Sequence, residues 1–290
     1  MKNSNLQDEI TVILVLYKES FDLISKTLYP LKSFKKIIID NDNNIDLKKK
    51  IISNFNIDNY ILNKKNIGFS AGYNQGIKNS KTIYTLVLGP DCIIMEQDIL
   101  LLKERLITNQ NCLIVSATSY DENRNLTYTG GPLPENCEKN YVLNISGDVC
   151  VEATLGACMF FKTKEILQNN LLFDENFFLY YSDVDLCRRI KVLEKSIIQV
   201  FDAKAIHQHG ILKVKNIYLK KFIREFNFTH DQYYYYYKIN KHNFLLDKFK
   251  KKIPSLITKF VIKLLTLKFL NCVEIISRLY SYYKFKSKFK

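Results

Sequence analysis

Short β-branched apolar runs alternate with helix-length amphipathic segments through the first 120 residues of this 290-residue chain. Ile10–Tyr17 (I-T-V-I-L-V-L-Y) is apolar on both faces, the pattern of a strand covered on both sides in a parallel sheet. A helix is predicted over Phe21–Leu31, with Ser20 placed to cap its start and Pro30 near its end. Further strands are expected at Lys36–Ile39, Asn59–Asn63, Thr82–Leu88 and Cys112–Thr118, and helices at Leu47–Phe55 and Gln97–Thr108. The glycine-containing stretch Asn66–Gly76 reads as a loop running into another helix. Such alternation implies an α/β fold, a Rossmann-like, mostly parallel central sheet flanked by helices. Sheets of this kind bind ligands at the carboxyl ends of their strands, where Tyr17, Asp40, Asn41 and Asp91 fall.

Beyond residue 120 the pattern loosens. Residues 120–150 are polar and turn-rich and read as a loop or hairpin insertion. A second apolar stretch spans Val149–Lys162, and Asp174–Arg189 should begin as a loop and become a helix. Ile197–Phe201 is a late strand, and the body should close near His207–Gly210. Charge then divides the chain. Residues 1–210 hold 24 basic and 25 acidic side chains, whereas residues 211–290 hold 19 and 4. The formal net charge of +14 thus belongs to the last 80 residues, which excludes a uniformly basic nucleic-acid-binding domain. Seven irregularly spaced cysteines with no C-x-x-C argue for reduced thiols rather than a zinc site or a disulfide framework. No apolar signal segment opens the chain, so the expected location is the cytoplasm.

Seven motifs occur in order: a strand ending in Tyr17; a strand ending in Asp40-Asn41; N-I-G-F-S-A-G-Y-N-Q-G (Asn66–Gly76); L-G-P-D (Leu88–Asp91); G-A-C-M-F-F-K (Gly156–Lys162); F-D-E-N-F-F-L-Y-Y-S-D-V-D-L-C-R-R (Phe173–Arg189); and H-Q-H-G (His207–Gly210). Over roughly residues 10–240 they resemble family 2 glycosyltransferases of the GT-A fold, with the bacterial rhamnosyltransferases of O-antigen, lipopolysaccharide or capsule synthesis as the nearest look. The resemblance implies a GT-A domain over residues 1–212 and a helical, basic C-terminal region over 213–290. It implies an inverting transferase that moves a sugar, rhamnose from dTDP-rhamnose in the first instance, from a nucleoside-diphosphate donor to a lipid-linked glycan. A UDP-hexose or UDP-galactofuranose donor fits the same scaffold.

By that resemblance the nucleotide sugar is bound by Val15, Tyr17, Asp40, Asn41, Asn66, Gly72, Asn74, Gly156 and Ala157. A carboxylate at position 40 can accept the imide N–H of uracil or thymine, and Tyr17 can stack on the base. The glycines of Asn66–Gly76 permit close backbone approach to a ligand, although Gly-x-x-x-Gly equally suits helix packing. Asp91 and His207 match the family's metal positions, so a divalent cation, Mg²⁺ or Mn²⁺, is the expected cofactor. Here Gly89 stands where the family usually has Asn, and no second carboxylate follows Asp91. Asp183 matches the aspartate that takes the acceptor proton, with Ser182 where Glu is common. Asp185 should cap the helix or hold Arg188, and Arg188 and Arg189 are candidates to neutralise phosphate.

The tail adds a partner. From Pro254 onward a helical projection puts Lys252, Ser255, Lys259, Lys263, Thr266, Glu274, Ser277, Ser281, Lys284 and Lys288 on one narrow stripe, opposite a wide apolar face. An amphipathic helix docked on an anionic membrane through residues 250–290 follows, placing the protein on the inner face of the cell membrane. Nucleic-acid binding by the Tyr- and Lys-rich tail is the competing reading, and a neutral body with an apolar tail face argues against it. A non-catalytic GT-A scaffold is the other. Processive synthases carry Gln-x-x-Arg-Trp, and this chain has no tryptophan.

Overall fold

The computed structural model describes residues 9–137, 144–208 and 216–289. β1 (Ile10–Leu16) leads to α1 (Phe21–Leu28), where the Ser20 hydroxyl accepts the Leu23 N–H. Pro30 has no N–H to continue the helix, and a 3₁₀ turn at Tyr29–Leu31 ends it. The alternation continues through β2 (Lys35–Asp40), α2 (Ile45–Asn54), β3 (Asn59–Leu62), α3 (Gly68–Asn79) and β4 (Tyr84–Leu88). β5 (Cys92–Ile94), α4 (Glu96–Thr108) and β6 (Cys112–Tyr120) follow. After them come β7 (Gly130–Gly131), β8 (Val149–Val151), β9 (Ala153–Thr154), β10 (Cys158–Lys162), α5 (Thr163–Gln168), α6 (Ser182–Val192) and β11 (Ser196–His207).

The main sheet runs β3-β2-β1-β4-β10-β6-β11-β5, with β8 added on β11, while β7 and β9 form a separate pair. β3, β2, β1 and β4 are mutually parallel, as are β6 and β11. β10 enters antiparallel between β4 and β6. Alternating side chains serve the two faces. Val12, Leu14 and Leu86 join Ile24, Leu28, Ile51, Ile99 and Leu102 from α1, α2 and α4. Ile13, Val87, Met159 and Phe161 join Tyr73 and Ile77 of α3, Ile166 of α5, and Leu186 and Ile190 of α6. Each fully buried Leu or Ile contributes about 1.5–3 kcal/mol, so the double-sided burial is what holds the sheet. The glycines of α3 belong to this packing. A Cβ at Gly76 would lie 2.3 Å from Ile13 Cγ2, and one at Gly72 2.8 Å from Val15 Cγ1.

The apolar stretch Val149–Lys162 is three strands rather than one element. β8 pairs with β11, β9 with β7 and β10 with β4 and β6. Glu152, between β8 and β9, accepts the Leu133 N–H at 2.9 Å, which anchors the run where it changes partner.

The chain divides into two compact units, residues 1–175 with 182–213, and residues 176–181 with 214–290. The second holds α7 (Ile217–Lys238), α8 (His242–Leu265) and α9 (Phe269–Lys288). Asp231 of α7, wholly buried, accepts the N–H groups of Leu179 (3.0 Å) and Tyr180 (2.9 Å), which ties the segment 176–181 into this unit. The single amphipathic helix expected from Pro254 is instead two. Pro254 lies inside α8, and the break comes at Thr266–Lys268. There Leu267 takes a left-handed φ of 55°, and Lys268 N–H bonds back to Lys263 O at 2.8 Å, a Schellman-type closure. The polar stripe is also split. Ser277 and Ser281 are wholly buried, and Ser277 donates to Phe222 O of α7 at 2.7 Å.

Candidate active site

The sheet's register gathers the polar residues along one edge. Leu16 pairs with Asp40, so Tyr17 leaves β1 beside the end of β2. Leu88 ends β4 opposite Cys158, so the Gly156–Ala157 turn enters β10 at the same edge. The Gly89 N–H donates to Ala157 O at 2.8 Å and stitches the two loops together. β5 runs antiparallel to β11 and pairs Cys92 with His207. Asp91, one residue earlier, is thereby brought within 3.3 Å (Oδ1 to Nε2) of His207, 116 positions away in sequence.

The first turn of α6 adds Asp183. Its Oδ2 accepts the Gly156 N–H at 2.8 Å and its Oδ1 the Val184 N–H at 2.9 Å. Glycine at 156 allows this close approach, because a Cβ there would lie 2.7 Å from Phe69 Cζ and 3.3 Å from Asp183 Cβ and would push the Phe69 ring aside. Burial pushes the Asp183 carboxyl above its ordinary pKa, outweighing the N–H bonds that favour the anion. A carboxylate so placed is a stronger proton acceptor than a solvated one.

At the β1–β2 end Asp40 is wholly buried. Its Oδ2 accepts the Tyr60 hydroxyl at 3.0 Å and its Oδ1 the Asp42 N–H at 2.8 Å, and burial raises its pKa. Tyr17 is half-buried, with the Lys18 ammonium 5.1 Å from its ring centroid. Four residues expected at the donor also build the fold. Asn41 donates to Gly68 O (3.1 Å) and accepts from Asn63 (2.9 Å). Asn66 accepts the Gly68 N–H (2.9 Å) and shapes the entry to α3. Asn74, buried, bonds the N–H and the carbonyl of Phe173 at 2.9 and 2.8 Å. Gly72 packs α3 closely on Val15.

The arginines are likewise committed. Arg188 bonds Glu135 at 3.1 Å, and Arg189 bonds Asp185 at 2.9 Å and Leu172 O at 2.6 Å. Asp185 therefore holds Arg189, its i+4 neighbour, and not Arg188. His209 and Gly210 lie outside the described residues.

One residue of the edge escaped sequence reasoning. Glu19 accepts the Tyr17 N–H, and its pKa is raised to about 7 by burial first, with the charges of Asp91 and Asp40 adding to it. In sequence it is one more polar residue ahead of a capped helix, and only folding sets it near two other carboxylates. Among the described residues no group of three or more His, Cys, Asp or Glu could hold a metal ion. The Asp91–His207 pair supplies one oxygen and one nitrogen, a set that suits a divalent cation whose other ligands come from phosphate and water.

The profile of glycosyl transferase family 2 matches residues 11–174, more than half of the chain. The chain belongs to glycosyl transferase family 2. A hexosyltransferase of low-salt glycan biosynthesis in Haloferax volcanii, Agl10, is 29% identical over 220 residues, covering 70% of this chain and 68% of that one. Among solved structures, the mannosyltransferase PcManGT of Pyrobaculum calidifontis, in complex with GDP-Man and Mn²⁺, superposes with a TM-score of 0.55 at 10% identity. It covers 97% of this chain and 88% of its own. GalNAc-T7, solved with UDP, GalNAc and Mn²⁺, gives 0.56 at 11% identity over 69% of this chain, which spans 44% of that larger protein. Both likenesses establish the GT-A fold. The protein is a glycosyltransferase that draws on a nucleotide-sugar donor.

Proposed function

We propose that the strand edge carries out inverting transfer of one sugar from a nucleoside-diphosphate donor to a hydroxyl of a lipid-linked glycan. The observation that carries it is Asp183, a partly buried carboxylate of raised proton affinity held by the N–H of Gly156 at the mouth of the sheet. Asp183 takes the proton of the acceptor hydroxyl as that oxygen attacks the anomeric carbon from the face opposite the leaving diphosphate. Asp91 and His207 would hold a Mg²⁺ or Mn²⁺, which neutralises charge on the departing diphosphate. Tyr17 and Asp40 form the nucleoside end, Tyr17 as the stacking face and Asp40 as the acceptor at its floor. We assign dTDP-rhamnose as the donor and O-antigen or capsule as the product, with UDP-hexoses and UDP-galactofuranose as competing donors.

No helix among the described residues is long and apolar enough to cross a membrane. A lipid-linked acceptor then calls for peripheral docking on the anionic inner face of the cell membrane, and the positive tail, residues 250–290, supports that. A nucleotide-sugar panel tests the donor side. One donor should raise the melting temperature in the presence of Mn²⁺ or Mg²⁺, and Asp91→Ala should remove the cation's part of that increase. A panel in which no nucleotide sugar shifts the melt, with or without cation, would overturn the donor assignment.

A further inference from the structure

α8 is 24 residues long and none of them is buried. Its inner side, Leu245, Leu246, Phe249 and Ile253, packs against the cluster of Tyr233, Tyr282 and Phe285 from α7 and α9. Its outer side is apolar as well. Ile257, Val261 and Leu265 recur at i, i+4 and i+8 with Ile262 beside them, all exposed. The apolar surface runs on through the turn, where Leu267 is 72% and Leu265 77% exposed, to Phe269 and Leu270 at the start of α9. Lys248, Lys250, Lys251, Lys252, Lys259, Lys263 and Lys268 lie along the same stretch, and Asp247 is the sole acidic residue between His242 and Val273. An exposed apolar surface on a stretch that carries one sign of charge is an interaction surface. Its partner must offer both a hydrocarbon interior and anionic groups at the same depth, which is the chemistry of an anionic bilayer surface.

We infer that the protein docks on the membrane through a contact centred on the C-terminal half of α8 and the α8–α9 turn. The inference rests on the peripheral-membrane reading and sharpens it from residues 250–290 to one face. The polar stripe of α9 is engaged elsewhere. Glu274 pairs with Lys221 at 2.7 Å and Arg278 with Glu225 at 2.8 Å, and Ser277 and Ser281 are buried.

The chain has no tryptophan, so a single introduced one reports its own surroundings. The test compares full-length Leu265→Trp and Leu267→Trp with Tyr283→Trp, which stands on an exposed part of α9. Each is mixed with vesicles of phosphatidylcholine containing phosphatidylglycerol, or of phosphatidylcholine alone. With phosphatidylglycerol, positions 265 and 267 should shift their emission to shorter wavelength and be quenched by brominated acyl chains more strongly than 283. Lys252→Gln and Lys259→Gln should each lower vesicle partitioning by about fivefold, equivalent to ~1 kcal/mol per lysine. Sedimentation with vesicles but a response only at 283 would overturn the assignment to α8 and leave membrane docking standing. Failure of the full chain to sediment with phosphatidylglycerol vesicles would remove both. A lipid-independent shift at 265 that grows with protein concentration would make the face a contact between copies and overturn the inference too.

Discussion

Carboxylates are drawn out of water in both units, and they are held in opposite ways. At the strand edge Glu19, Asp40 and Asp183 accept hydrogen bonds from backbone N–H groups and a tyrosine hydroxyl, and burial raises the proton affinity of all three. In the helical unit burial would likewise raise Glu225, but the hydrogen bonds from Arg278 and Lys221 outweigh it and its pKa is lowered. An N–H dipole steadies a carboxylate without cancelling its charge, whereas an arginine cancels it. The first arrangement leaves a group ready to accept a proton or face a cation. The second fastens one helix to another.

The largest effect that tests this contrast is on rate. Asp183→Asn should cut sugar transfer by about 100-fold or more, as removal of a general base does, with donor affinity by calorimetry and thermal stability close to wild type. Transfer at the wild-type rate would end the assignment of Asp183 as the base. Next is a stability effect. Arg278→Ala strips Glu225 of a charge-assisted partner and should cost about 1.5–3 kcal/mol in urea unfolding, while transfer per folded molecule stays unchanged. Loss of rate equal to that of Asp183→Asn would break the division between the two kinds of carboxylate.

The smallest effect is one of slope. Glu19 titrates near 4.5 when unfolded and near 7 when folded, so the folded state holds the extra proton in between. Its share of stability should fall as pH rises from about 4.5 to about 7, and Glu19→Gln should flatten that decline. Glu225, lowered in the folded state, has the opposite sign. Its share is present above its unfolded value of 4.5 and is lost as pH falls through the lower folded value. Chemical unfolding of Glu19→Gln and Glu225→Gln across about pH 2 to 8 reads both slopes.

Periodicity alone located most of the first unit, because a strand covered on both faces has to be apolar throughout and its turns must be polar. β1, β2, β4 and β6 lie within a residue or two of where the apolar runs put them. β5 was not legible, since three residues have no period, and yet β5 is what sets Asp91 beside His207. The asparagines at 41, 66 and 74 were legible as polar residues near the edge. Their partners Gly68, Asn63 and Phe173 were not, because those bonds depend on which loops the sheet brings together. The tail shows the limit most plainly. Its polar stripe was correctly periodic, but a helical projection carries no sign, and around α9 the stripe turned inward because α7 offered Lys221, Glu225 and the carbonyl of Phe222.

By itself the amino-acid sequence determined the α/β class, the sheet edge at which the candidate site residues gather and the segregation of positive charge into the last 80 residues, since all three follow from local composition and period. Tertiary structure decided which carboxylates are bare and which are paired, and which face of each tail helix meets water. A pKa or an exposed face depends on neighbours that may lie a hundred residues away, and only the closed sheet and the packed helices supply them.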